Sequence, residues 1–124
     1  MLRSTIVLVL AYFLLALPTL AADEAGAKLF LNHCGTCHSI DPAAAPRQGP
    51  NLNGVLQRKA GTVEGYKYSP GLKTAGWQWT PEQLDLWLTE PKALVPDTLM
   101  SIYKQKNPDK RKIIIDYLIA NTQK

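Results

Sequence analysis

Apolar and polar positions along the chain change rhythm several times, and each change marks an element. Residues 5–17 (TIVLVLAYFLLAL) are almost wholly apolar and end at Pro18. From residue 24 the spacing turns helical: Gly26, Leu29, Phe30, His33 and Cys34 recur at intervals of three and four. This predicts a first helix over 24–37, with Asp23 and Glu24 placing negative charge at its N-terminus. Pro42, Pro46 and Pro50 keep 39–53 irregular, and glycines at 49, 54, 61, 65, 71 and 76 extend the loop-rich stretch. Thr80-Pro81-Glu82-Gln83 opens a second helix, with an N-cap threonine, a first-turn proline and a glutamine placed for a capping box. Leu84, Trp87 and Leu88 form its apolar stripe, and Pro91 ends it. Asn107-Pro108-Asp109 starts the last helix, whose buried face is expected to be Ile113, Ile114, Tyr117 and Leu118. No stretch sustains strand alternation and no segment repeats, so the fold class is all-α with long loops.

The chain's 124 residues suffice for one compact domain. Arg3, the apolar run and the small residues Thr19, Ala21 and Ala22 have the three-part layout of a secretory signal peptide. The run is 13 residues long, against roughly 20 for a bilayer span. The expected division is therefore a signal peptide at 1–22 and one domain at 23–124. An exported, periplasmic protein follows, with an uncleaved N-terminal anchor as the alternative. The net charge of +4 is mild. It suits docking to an acidic protein surface better than coating nucleic acid. The densest basic cluster, Lys110-Arg111-Lys112, reads as a solvated helix face.

Both cysteines fall in Cys34-Gly-Thr-Cys37-His38, the pattern of a c-type haem attachment site. Two thiols must reach two vinyl groups on one edge of a porphyrin while an imidazole reaches its iron. Positions i, i+3 and i+4 of a helical turn present all three groups to one side. A redox dithiol would not need His38. A zinc tetrahedron is too crowded for Cys34, Cys37, His38 and His33. The expected cofactor is one haem c, attached through Cys34 and Cys37, with His38 as the first iron ligand.

Apart from Met1 the chain has one methionine, Met100, 62 residues after His38. It lies among Pro91, Pro96 and Pro108, in a segment that should close over the ring as a loop. Met100 is the expected second ligand. His/Met ligation suits an electron carrier because it raises the reduction potential.

With these come Gly49-Pro50-Asn51-Leu52-Asn53-Gly54, then Arg58, Tyr68, Trp79, Pro91 and Thr98-Leu99-Met100. In this order they resemble the class I cytochromes c, within that class the mitochondrial cytochrome c and bacterial cytochrome c2 types. The resemblance spans about residues 24–119. It implies three main helices and long loops wrapped around one haem. It also implies that the Pro50 carbonyl fixes the His38 ring, and that Arg58, Tyr68, Trp79 and Thr98 satisfy the haem carboxylates. Gly26 and Phe30 match first-helix residues that cross the last helix near Ile114 and Tyr117. The chain departs from the mitochondrial pattern at Leu72, Trp87, Leu99 and Ile102. Trp87 stands where a tyrosine usually lies beside the methionine sulfur.

A ring ligated on both faces leaves no position for a substrate. The function implied is a soluble, monomeric one-electron shuttle and not an enzyme. Its basic rim would be Arg47, Lys92, Lys104 and Lys106. The partners implied are redox proteins with acidic docking surfaces: a cytochrome bc-type donor, and an oxidase, reaction centre or dehydrogenase, as in a respiratory chain. The competing classes are a haem enzyme or gas sensor and a membrane-tethered electron-transfer subunit.

Overall fold

The computed structural model describes residues 17–122, so residues 1–16 of the expected signal peptide lie outside it. Among the described residues there are three longer helices, α1 (Leu17–His33), α3 (Pro81–Thr89) and α5 (Pro108–Asn121). Two single-turn helices, α2 (Pro70–Lys73) and α4 (Pro91–Leu94), and a 3-10 turn at Val55–Gln57 lie between them. Strand pairing among the described residues amounts to one antiparallel bridge, Lys59 to Gln78.

The helix starts follow local chemistry. Thr80 Oγ1 accepts the Gln83 N–H at 3.1 Å and Asn107 Oδ1 accepts the Lys110 N–H at 3.1 Å. Each supplies an acceptor to an otherwise orphaned first-turn donor, with a proline at the next position. α1 departs from expectation at both ends. It starts at Leu17, so Asp23 and Glu24 sit inside it and not at its N-terminus. It stops at His33, and Cys34–Cys37 form a turn. The turn keeps helical bonding, since the Cys34 N–H reaches Phe30 O at 2.7 Å and the His38 N–H reaches Cys34 O at 2.9 Å.

α1 and α3 both pack on α5. At the first crossing a Cβ on Gly26 would come within 2.8 Å of the Tyr117 Cβ, so only glycine lets the two helices approach this closely. Phe30 lies against the Tyr117 ring at 5.6 Å. The expected buried face of α5 needs correcting. Ile114, Ile115 and Leu118 are its buried residues, whereas Ile113 and Tyr117 are half-buried. A helix wedged between two others buries a wider arc: Tyr117 turns toward α1, and Ile115 faces a groove that Leu86 of α3 also lines. The basic cluster is also not uniformly solvated. The Arg111 side chain is only 12% exposed and its Nε donates to Asp85 Oδ1 at 2.7 Å. Its Nη1 donates to the carbonyls of Gln105 and Lys106.

Candidate functional site

The helices and loops enclose a cleft of about 1280 Å³, counted to its open mouth. All nine site residues expected from the sequence line it: Cys34, Cys37, His38, Pro50, Arg58, Tyr68, Trp79, Thr98 and Met100. They come from the turn after α1, three loops and α4's following segment.

His38 Nδ1 lies 2.8 Å from the Pro50 carbonyl oxygen. A carbonyl only accepts, so Nδ1 carries the proton and Nε2 keeps its lone pair. Burial holds the imidazolium below its ordinary range; the carbonyl bond opposes this and the Arg58 charge adds to it. The ring is thus a neutral nitrogen donor. Behind it sits Gly49, where a Cβ would fall 2.3 Å from His38 Cε1. The backbone of Gly49 therefore braces the imidazole directly.

Burial pushes the Cys34 thiol up to about 12, with Cys37 adding to the shift. Redox-active dithiols need the opposite, a lowered pKa. Cys37 Sγ donates to Gln48 Oε1 at 3.2 Å. Among the described residues no three His, Cys, Asp or Glu side chains gather as a metal-binding group. The raised Cys34 thiol runs against the dithiol reading.

Met100 is seated by two bonds. Its N–H donates to Thr98 Oγ1 at 3.2 Å, and its sulfur accepts the Trp87 indole N–H at 3.2 Å. A thioether sulfur has two lone pairs, so one remains available. Trp87 also stacks edge-on against Trp79 at 5.6 Å, and Trp79 against Trp77 at 5.8 Å.

The polar end of the cleft holds Arg58 and Tyr68. Arg58 donates from Nη1 to Asn53 O at 2.6 Å and from Nη2 to Asn51 O. Those are carbonyls, so its positive charge has no carboxylate partner among the described residues. Tyr68 Oη accepts the Val63 N–H at 3.1 Å. Burial raises its pKa above the ordinary phenol value, so it keeps a proton to donate. Trp79 and Thr98 are buried.

This donor set fits a haem. Two thiols, a neutral imidazole and a thioether share one largely apolar cleft, lined by Leu52, Val55, Leu72, Leu84 and Leu88. Arg58 and Tyr68 offer a cation and a hydroxyl to carboxylates at one end. Sequence reasoning named Gly49 only as part of the Gly49–Gly54 motif, and missed Gln48 and the Arg111–Asp85 clamp. Gly49 had a local signal, its place beside Pro50, but its contact with His38 arises only when the loop folds back.

Of the expected basic rim, Arg47 donates to Gly35 O at 2.7 Å, while Lys104 and Lys106 both bridge to Glu90 at 3.2 Å. Leu99 and Ile102, beside Met100, are 63% and 97% exposed.

A family model described as cytochrome c matches residues 24–118. The chain is 40% identical over 99 residues to a cytochrome c of Gossypium barbadense, covering 80% of this chain and 89% of the relative. It is 38% identical over 114 residues to cytochrome c2 of Blastochloris viridis, covering 90% of each. It is also 45% identical over 101 residues to a cytochrome c-type cyt cy of Rhodobacter capsulatus, covering 81% of this chain and half of that longer protein.

Proposed function

The chain belongs to the cytochrome c family, with an all-α fold and one covalent haem c as its cofactor, and from that premise we propose that it is a periplasmic shuttle carrying single electrons between a cytochrome bc-type donor and an oxidase, reaction centre or dehydrogenase. The bound haem supplies an iron that alternates between ferric and ferrous states. Cys34 and Cys37 would hold it through two thioether bonds. His38 and Met100 would be the iron's two protein ligands and would leave it closed to substrates, which separates a carrier from a haem enzyme or sensor. Pro50 orients His38 and raises its basicity through the Nδ1 bond. Arg58, Tyr68, Trp79 and Thr98, which line the same cleft, would compensate the charge of the haem carboxylates.

The observation that carries this reading is the arrival of His38 and Met100, 62 residues apart, on one apolar cleft. Each is held by a second group that leaves a lone pair free. Met100→Ala in the holoprotein tests it. The haem should remain attached after acid–acetone extraction, the methionine-to-ferric charge-transfer band should vanish, and the potential should fall. A wild-type protein without that band, or one that binds carbon monoxide rapidly when reduced, would overturn the shuttle reading.

For export, the supporting observation lies in α1. Residues 20–25 are all exposed and burial begins at Gly26, so of the described residues that cleavage after Ala22 would remove, Leu20, Ala21 and Ala22 carry no packed side chain. Among the described residues no helix is long and apolar enough to cross a membrane. Intact-mass analysis of the exported protein distinguishes a chain starting near Asp23 from one that keeps residues 1–22.

A further inference from the structure

The segment carrying Met100 folds as a tight corner. Val95 and Thr98 point inward, 3% and 5% exposed, and the Thr98 N–H bonds to Val95 O at 3.0 Å. Asp97, at the apex, faces outward and reaches across to the start of α2, 26 residues earlier in the chain. Its Oδ2 accepts the Gly71 N–H at 3.0 Å.

Gly71 is shaped to receive it. A Cβ at this position would stand 2.3 Å from Asp97 Oδ1 and 2.9 Å from Val95 Cγ1. The carboxylate and the valine therefore occupy the space that any side chain would need. The donor is also one that α2 cannot satisfy itself. Of its first-turn positions, Pro70 has no N–H, and the Leu72 N–H bonds to the Ser69 hydroxyl at 3.3 Å. The Gly71 N–H is left over, and Asp97 caps it from another segment. Among the described residues this is the one hydrogen bond joining 95–100 to the loop at 61–76. Every other bond of the corner stays within 91–100 or, through Trp87, runs to the methionine sulfur.

We infer that Asp97 is a positioning residue for Met100: its carboxylate latches the methionine segment to the Gly71 backbone and so sets how readily Met100 leaves the iron. The inference rests on the reading of Met100 as an iron ligand. Opening the latch leaves the cleft walls in place but frees the corner to swing away with its methionine.

The test uses ferric holoprotein and imidazole at pH 7. Imidazole can bind only where Met100 has left, so its apparent association constant scales with the ease of that departure. Asp97→Ala should raise the constant about fivefold, or ~1 kcal/mol. Asp97→Asn, which keeps an acceptor oxygen, should stay within about twofold of wild type. Hydrogen exchange at the Gly71 amide should accelerate in Asp97→Ala and not in Asp97→Asn. Gly71→Ala, which expels the carboxylate by contact, should match Asp97→Ala, and the double variant should add little to either. A wild-type protein showing the methionine band, with unchanged imidazole affinity and Gly71 exchange in Asp97→Ala, would overturn the latch alone. Absence of the band in wild type would overturn the Met100 assignment beneath it.

Discussion

Gly49→Ala isolates the brace behind His38. The new Cβ would lie 2.3 Å from Cε1, 2.6 Å from Nδ1 and 2.8 Å from Nε2 of the imidazole, whereas ordinary contact begins near 3.4 Å. The ring must retreat by about 1 Å, and the 2.8 Å bond from Nδ1 to Pro50 O cannot survive such a move. Overpacking of this kind costs about 1–3 kcal/mol, and the lost half-buried hydrogen bond adds about 1 kcal/mol. The expected destabilisation is therefore about 2–4 kcal/mol. With a urea m-value of ~1.5 kcal/mol/M, the unfolding midpoint of the ferric holoprotein should fall by roughly 2 M. The haem absorption spectrum should shift as well, because the ligand has moved. Gly54→Ala is the matched control. Gly54 has φ +69° and nothing within 4 Å of the point where a methyl would stand, so its cost is backbone strain alone, about 1 kcal/mol, with an unaltered spectrum. A Gly49→Ala protein within ~0.5 kcal/mol of wild type and spectrally identical to it would refute the brace.

Trp87→Phe removes the N–H that withdraws charge from the Met100 sulfur, so the potential should fall by roughly 30–60 mV, about a three- to tenfold shift for one electron; an unchanged potentiometric titration would show the 3.2 Å contact to be electronically idle. Glu90→Gln should release Lys104 and Lys106, raising reaction rates with an acidic redox partner at low ionic strength and steepening their salt dependence. Both lysines hold the Glu90 carboxylate below its ordinary 4.5, so in wild type the tether is intact above that pH and is lost as pH falls below it. A rate and salt slope identical in the two proteins would mean the lysines were already free. Arg111→Ala should cost about 1–2 kcal/mol in chemical denaturation, since it removes a packed side chain together with its bonds to Asp85 and two carbonyls, and Arg111→Lys should not restore it because an ammonium lacks the fork; full recovery by lysine would contradict the geometry.

Legibility in the sequence tracked the range of the interaction. Thr80 and Asn107 announce their helices because each caps a donor three residues away, a distance within one turn. Cys34, Cys37 and His38 are likewise neighbours in space because they are neighbours in the chain. Met100 could be found because the methionine count left one candidate. The start of α1 was obscured for a different reason: Leu17–Ala22 reads as the end of a signal peptide, yet leucine and alanine are good helix formers and continue the helix outward. What stayed hidden were bonds between segments. Arg111 with Asp85 and Gly71 with Asp97 are each 26 residues apart, and no periodicity links them. Charge alone made Arg111 look like surface, while its burial comes from the three groups it gathers.

Gly26 and Tyr117, which touch where α1 crosses α5, are separated by nearly the whole domain. Joining two points about 90 residues apart costs on the order of 4 kcal/mol in loop-closure entropy, and the join cannot be made before the last helix has been synthesised. Ile114 and Leu118 of that helix also wall the cleft. A nascent chain therefore cannot seal the cleft early: Cys34 and Cys37, near its front, stay reachable for as long as the C-terminal helix is missing. The topology thus leaves the thiol-bearing wall of the cleft uncovered until the last helix docks.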